Sequence, residues 1–192
     1  MDVADEASII AGYDALEATF GPADTVYANA GMSHDGGLLD QPSADFAAVF
    51  AVNVDGVFLT AREGARRMIR AGSKETRRGR IVINASMTAR KVIPGLGAYS
   101  ASKAAVDHLG RVMAREWANQ GINVNSVRPG YIETELTSDW FASEGGKRQM
   151  GSFARRRLMP EDSLDAILLY LGSDASAGVT GSSFDIDDGQ AL

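Results

Sequence analysis

"GRIVINAS", residues 79–86, reads as a β-strand over about 80–85 that runs straight into a serine. Its neighbours decide what kind of sheet it joins. Upstream, a helical pattern runs from Ser43, the expected N-cap, to Gly72, with Phe46, Val49, Phe50, Val57, Ala61, Ala65 and Met68 as its apolar stripe. Before it, "DTVYANAG" (24–31) gives a short buried strand over 25–29 that ends in a glycine. Residues 5–20 put Ile9, Ile10, Tyr13, Leu16 and Phe20 on one helical face, and Gly21-Pro22 stops that helix. Downstream, the helix holding Tyr99 and Lys103 runs to about Asn119 and is closed by Gly121. "INVNSVRPG" (122–130) is the next strand, stopped by Pro129-Gly130. Residues 131–158 show no clear period and read as a mobile segment. Pro160 then starts a helix with Leu164, Ile167, Leu168 and Leu171 inward, and "SSFDIDDG" (182–189) supplies a last short strand. Strands separated by helical segments of this length imply right-handed crossovers. The expected fold is α/β: a doubly wound parallel sheet of about four strands, flanked by helices on both faces.

Bulk composition narrows the function. A chain of 192 residues suffices for one domain with a sizeable core. A net charge of −6 argues against the basic face that nucleic acid requires. The absence of cysteine removes disulfide and thiolate chemistry and suits a reducing cytoplasm. Two histidines, His34 and His108, are too few for a metal site. No apolar run approaches the ~18 residues that a bilayer span needs, and the acidic start "MDVADEAS" is no signal peptide. The expectation is a cytoplasmic protein without nucleic-acid or membrane partners. The basic run at 66–80 reads as a helix C-terminus and a solvated loop. "ARRRL" (154–158) reads the same way, or as a contact for an anion.

In an open parallel sheet, ligands bind beyond the carboxyl ends of the strands. Asn29-Ala30-Gly31, Ser86 and Pro129-Gly130 follow three successive strands and so converge there, and the Tyr99 helix begins on the same side. Tyr99 and Lys103 lie one helical turn apart at the head of a stripe that continues with Val106, Gly110, Met113 and Trp117. Two readings fit that spacing: a lysine snorkelling at a helix end beside a tyrosine, or an acid/base pair. In the second, the ammonium would stabilise the phenolate and lower a pKa that is ordinarily about 10. Asn53 falls on the buried stripe of the long helix. A buried amide needs partners, so it either bonds a backbone carbonyl at a kink or orders water or a side chain in the site. Ser86 is either a turn residue or a site hydroxyl.

In order and spacing these motifs resemble the classical short-chain dehydrogenases/reductases. "NAG" (29–31) follows a strand, "NVDG" (53–56) lies in the next helix, and a serine stands thirteen residues before "YSASK" (99–103). "RPGYIET" (128–134) follows the next strand, and "PED", "YLGSDAS", "VTG" and "DDG" come in turn towards the end. The resemblance covers essentially the whole chain. It implies an oxidoreductase moving a hydride between NAD or NADP and a small-molecule carbonyl or secondary alcohol. It implies Tyr99 as general acid/base, Lys103 as the group that lowers the phenol pKa and bonds the nicotinamide ribose, Ser86 as holder of the substrate oxygen, and Asn53 as keeper of a relay water. It further implies Pro129, Gly130, Ile132 and Thr134 along the nicotinamide carboxamide. Asn29, Ala30 and Gly31 would lie near the adenosine half, with Asp2 and Val3 at the adenine. The stretch 135–158 would be a substrate lid, and a homodimer or homotetramer would form through the two long helices.

The family pattern opens with a strand and a T-G-x-x-x-G-x-G turn, which this sequence does not contain. The expectation is therefore a single incomplete Rossmann-like domain over 1–192, truncated at its N-terminus, that keeps the catalytic half and loses much of the cofactor grip. An alternative expectation is an inactive family member serving as an interaction or oligomerisation module; a third is non-redox chemistry such as elimination. The discriminator between NAD and NADP lies outside the sequence.

Overall fold

The computed structural model describes residues 1–192, the side chains of residues 135 and 136 excepted. Helix α1 (Glu6–Phe20) is capped by Asp5, whose carboxylate accepts from the Ala7 and Ser8 amides, and ends at Gly21 with φ 80°. Strand β1 (Thr25–Ala28) leads through a loop to α2 (Ser43–Phe50), a π turn (Ala51–Asp55) and α3 (Gly56–Arg70), which form one continuous rod. A short α4 (Ser73–Thr76) precedes β2 (Gly79–Asn84), and α5 (Gly97–Trp117) precedes β3 (Ile122–Pro129). Helices α6 (Glu135–Ala142), α7 (Glu144–Ser152) and α8 (Asp165–Leu171) come before β4 (Ser183–Ile186).

The four strands pair in parallel in the order β1-β2-β3-β4. Alternation along β2 builds two cores. Ile81 and Ile83 join the larger one with Ile9, Val57, Ala61, Met68 and Val106 from the helices, while Val82 meets Val127 and Leu171 on the opposite face. Burying each such branched side chain contributes about 1.5–3 kcal/mol. The α/β, Rossmann-like reading of the sequence therefore holds, with every strand's carboxyl end at one edge.

Several local expectations need correction. Residues 131–158 are not irregular, since they hold α6 and α7. Of the five apolar residues assigned to the buried face of α1, only Ile9 and Tyr13 are buried, because α1 packs mainly on α3. The N-cap of α2 is Pro42 rather than Ser43. Phe46 is 39 % exposed and stacks on Phe50 at a centroid distance of 4.8 Å, outside the core. The π turn changes the helix phase, so Val49 and Asn53 face inward but the two phenylalanines do not.

The basic run at 66–80 is not simply solvated. Arg67 is 5 % exposed and its guanidinium bonds Glu63, Asp14 and Glu17 at 2.7–2.8 Å, tying α3 to α1. Arg80 is buried and donates to the Gly79, Arg77 and Ser173 carbonyls. By length and composition the 28-residue rod Ser43–Arg70 is also long and apolar enough to cross a membrane, its most apolar 18-residue window having a mean hydropathy of 1.5. The sequence reading missed this because Asn53 and Asp55 interrupt the run. Its inner stripe is the main wall of the larger core.

Candidate active site

Three chain segments meet at the carboxyl end of β2. The strand's last residue, Asn84, offers its main-chain carbonyl to the Lys103 ammonium at 2.7 Å, and its side-chain amide donates to Asn29 Oδ1 at 2.7 Å. Asn29 stands directly after β1, so this bond fixes the β1 exit against the β2 exit. Gly31 follows it. A methyl group there would lie 3.3 Å from Lys103 Nζ and 3.4 Å from Asn53 Oδ1, so the glycine lets the loop backbone approach both polar groups closely.

Asn53 is completely buried, and its partners account for it. Its Oδ1 accepts from the Met32 amide at 2.8 Å, and its Nδ2 donates to the Met32 carbonyl and to Ser102 Oγ, both at 2.9 Å. Ser102 in turn donates to the Tyr99 carbonyl at 2.7 Å. The asparagine thus joins the loop after β1 to the first turn of α5, from a π turn, which is a frequent mark of functional helices. The structural and the site reading of this residue are both compatible with that geometry.

Ser86 caps the short turn Met87–Ala89 in extended conformation. Its oxygen accepts from the Thr88 amide at 3.1 Å and from the Thr88 hydroxyl at 3.0 Å. With both acceptor positions used, the Ser86 proton is left to donate, and the hydroxyl acts on the Tyr99 phenol by lowering its pKa.

Tyr99 and Lys103 lie on the same side of α5, with Nζ 5.6 Å from the phenol ring centroid. Lys103 is 2 % exposed, and burial brings its pKa down to about 8. The Tyr99 phenol moves the other way from the expected lowering. Burial pushes its pKa above the ordinary value, Ser86 pulls it down, and the nearby Tyr131 phenol pushes it up. The physical reason is that a buried lysine whose own charge is penalised is a weak counter-charge across that distance.

Beyond β3, Gly130 donates to the Ile186 carbonyl at 2.9 Å, and Pro129 pairs with Ile186 in the sheet. Ile132 bridges to Met159, and Thr134 caps α6 through a reciprocal bond with Thr137. These residues form the wall beside α5. Tyr131 packs its ring at 5.0 Å from Phe141 and 5.9 Å from Phe153. Asp2 and Val3 stand apart from this cluster. Asp2 spends its carboxylate on the Ala4 amide at 2.9 Å, whereas Val3 joins Asn29 and Ala30 in lining a separate cavity of about 90 Å³. Arg155 and Arg157 of the second basic run both pair with Asp188.

Sequence reasoning missed Asn84, Thr88, Ser102 and Tyr131. Asn84 and Tyr131 had a signal, each being adjacent to a strand's carboxyl end; Ser102 and Thr88 look like ordinary helix and turn residues.

The nicotinamide half of a dinucleotide fits what is present. Lys103 uses one of its three donors on Asn84, and a buried Asn84 Oδ1 has no protein partner. A family model described as enoyl-(acyl carrier protein) reductase matches residues 1–191. The NADP-dependent (R)-specific alcohol dehydrogenase of Lentilactobacillus kefiri is 35% identical over 98% of this chain and 74% of its own length. D-threitol dehydrogenase of Mycolicibacterium smegmatis is 32% identical over 100% of this chain and 72% of its own. A gluconate 5-dehydrogenase from Burkholderia cenocepacia, solved with NADP and tartrate, superposes with a TM-score of 0.91 at 32% identity, covering 99% of this chain and 73% of that one. On this evidence the chain belongs to the short-chain dehydrogenase/reductase family.

Proposed function

We propose that this chain is an NAD(P)-dependent oxidoreductase that interconverts a carbonyl and a secondary alcohol, with Tyr99 as general acid/base. The observation that carries the reading is the convergence of Tyr99 and the buried Lys103 on one side of α5, with Nζ 5.6 Å from the phenol ring centroid, beside Ser86, which pulls the phenol pKa down. A nicotinamide, when bound, supplies or accepts the hydride. Every proton belongs to the chain. Ser86, both of whose acceptor positions face Thr88, donates to the substrate oxygen and fixes its place. Tyr99 is protonated at neutral pH, so it acts as the acid in carbonyl reduction and as the base in the reverse direction.

Lys103, held at its tip by Asn84, turns its remaining donors toward the ribose and the phenol. Asn53 holds the α5 head in place, and the π turn beside it positions a water that replenishes the proton through Lys103. Pro129, Gly130, Ile132 and Thr134 line the carboxamide, Asn29, Ala30 and Gly31 the adenosine side, and Asp2 with Val3 the adenine. Residues 135–158 cover the substrate. The relatives' names, an alcohol dehydrogenase and a polyol dehydrogenase, support a small carbonyl or alcohol substrate. Self-association through the outer faces of α3 and α5 is supported by half-exposed Phe58, Ile69 and Val112.

The test is a panel of ketones, aldehydes and polyols with each of NADH, NADPH and their oxidised forms, read by nicotinamide absorbance. Turnover with any member supports the reading. A folded protein that binds neither cofactor and turns over nothing contradicts it.

A further inference from the structure

The residue that ties the substrate side of the cleft together lies at the far end of the chain. Gln190 is 2 % exposed, although the residues after it, Ala191 and Leu192, are exposed. Its side-chain amide pairs with the main chain of Tyr131 as a strand neighbour would. Gln190 Oε1 accepts from the Tyr131 amide at 2.6 Å, and Nε2 donates to the Tyr131 carbonyl at 3.1 Å. The same Nε2 reaches the Arg157 carbonyl at 3.4 Å, on the return from α7. The Gln190 carbonyl accepts from Lys91, which lies just past the Ser86 turn. Gly130 leaves room for this contact, since a methyl group there would come within 2.6 Å of Oε1. One residue therefore fastens the loop after Ser86, the Pro129-Gly130-Tyr131 turn and the lid's return segment.

What it fastens matters because of where Tyr131 stands. The ring packs against Phe141 and Phe153 in the cover, and its phenol raises the pKa of the Tyr99 phenol. Nothing else in the protein pairs with the Tyr131 amide among the described residues, whereas its carbonyl is also bonded by the Met159 amide at 3.0 Å. Without Gln190 the amide would be buried and unpaired, a state that drives local rearrangement.

We infer that Gln190 is a positioning residue: through its amide pair with Tyr131 it holds the Tyr131 ring over the substrate and so sets substrate affinity. The inference rests on the oxidoreductase reading proposed above. Gln190→Leu, of similar size, removes the pair while keeping the packing. The expected result is a rise in substrate KM of about tenfold with kcat and cofactor KM changed less than about threefold. Amide hydrogen exchange at Tyr131 should quicken at least about a hundredfold while the β2 and β3 amides stay protected.

Asp188→Asn serves as the control for a merely structural role. It breaks the ties to Arg155 and Arg157 in the same turn, yet leaves the Tyr131 amide pair intact, and asparagine tolerates the local φ of 52°. It should lower Tm and move substrate KM clearly less than Gln190→Leu does. Substrate KM in Gln190→Leu equal to wild type, or equal KM shifts in both variants, overturns the inference. Unchanged exchange at Tyr131 overturns it as well, without reference to activity. Wild-type protein with no turnover at all instead removes the oxidoreductase reading and this inference with it.

Discussion

Beneath the Tyr99 phenol, Asn53, Ser102, Lys103 and Asn84 are held by hydrogen bonds of 2.7–2.9 Å drawn from the π turn, from α5, from β2 and from the loop after β1. Above it, residues 131–158 are held by ring contacts of 5.0–6.3 Å, by ion pairs to Asp188 and by the Gln190 amide on Tyr131. The two regions obey different physics. In the floor each polar atom has lost water, so each bond missing there leaves a costly orphan. The cover is fastened mostly by ring packing, which tolerates adjustment, with the Gln190–Tyr131 amide pair as its directional tie. A site built this way keeps the reacting groups fixed and leaves selectivity to a part that can be remodelled.

Mutations should therefore separate the two regions by which constant they move. The largest loss short of removing the phenol itself comes from Lys103→Met in the floor. It should lower kcat by about a thousandfold or more, while substrate KM changes little. The same variant tests the burial of the amine. The unfolded chain keeps the Lys103 proton up to its ordinary value near 10.5, but the folded chain releases it near 8. The penalty for burying the charge is thus full below the folded value and is relieved as pH rises through that window. Relative to Lys103→Met, wild-type stability should gain roughly 2–4 kcal/mol between pH 7 and pH 10.5, as read by denaturant unfolding at both pH values. An unchanged difference would mean that the amine is hydrated.

Next in size is Asn53→Ala. It orphans the Met32 amide and carbonyl and removes the bond that Ser102 accepts, and should cost about 2–4 kcal/mol of stability, with a loss of kcat that follows the released α5 head. The smallest effect belongs to the cover. Phe153→Ala should raise substrate KM about fivefold and leave kcat within about twofold, because the ring touches Tyr131 and Phe141 but none of the floor residues. A kcat loss that matched the floor variants would erase the distinction between the regions.

How much of this was legible in the sequence follows from the same contrast. The floor could be read because its residues stand at fixed positions relative to strand ends, where the chain has little freedom: "NAG" after β1, Ser86 after β2 and "YSASK" opening α5. Asn53 announced itself as an amide on an apolar stripe, yet the π turn that brings it inward has no sequence signature, and for that reason Phe46 and Phe50 were misplaced. The helices of the cover escaped notice because "EGGKRQMGS" carries two adjacent glycines and no apolar period, so α7 is held by Trp140 and Ser143 at its start rather than by propensity. Arg67 and Arg80 looked solvated since charge in sequence says nothing of carboxylates and carbonyls supplied from fifty or more residues away. The sign of the Tyr99 shift was unreadable too. It depends on how deeply α5 sinks beside the sheet, which spacing alone does not give.

One measurement bears most directly on the assignment of the proton to Tyr99: turnover and cofactor affinity of Tyr99→Phe, determined on the same preparation as wild type. The substitution removes a single oxygen and leaves Lys103 on Asn84 and Asn53 on Met32 untouched. The predicted result is a fall in kcat of at least about a thousandfold with the cofactor dissociation constant within about threefold of wild type. A variant that turns over at the wild-type rate would show that the proton travels by another group.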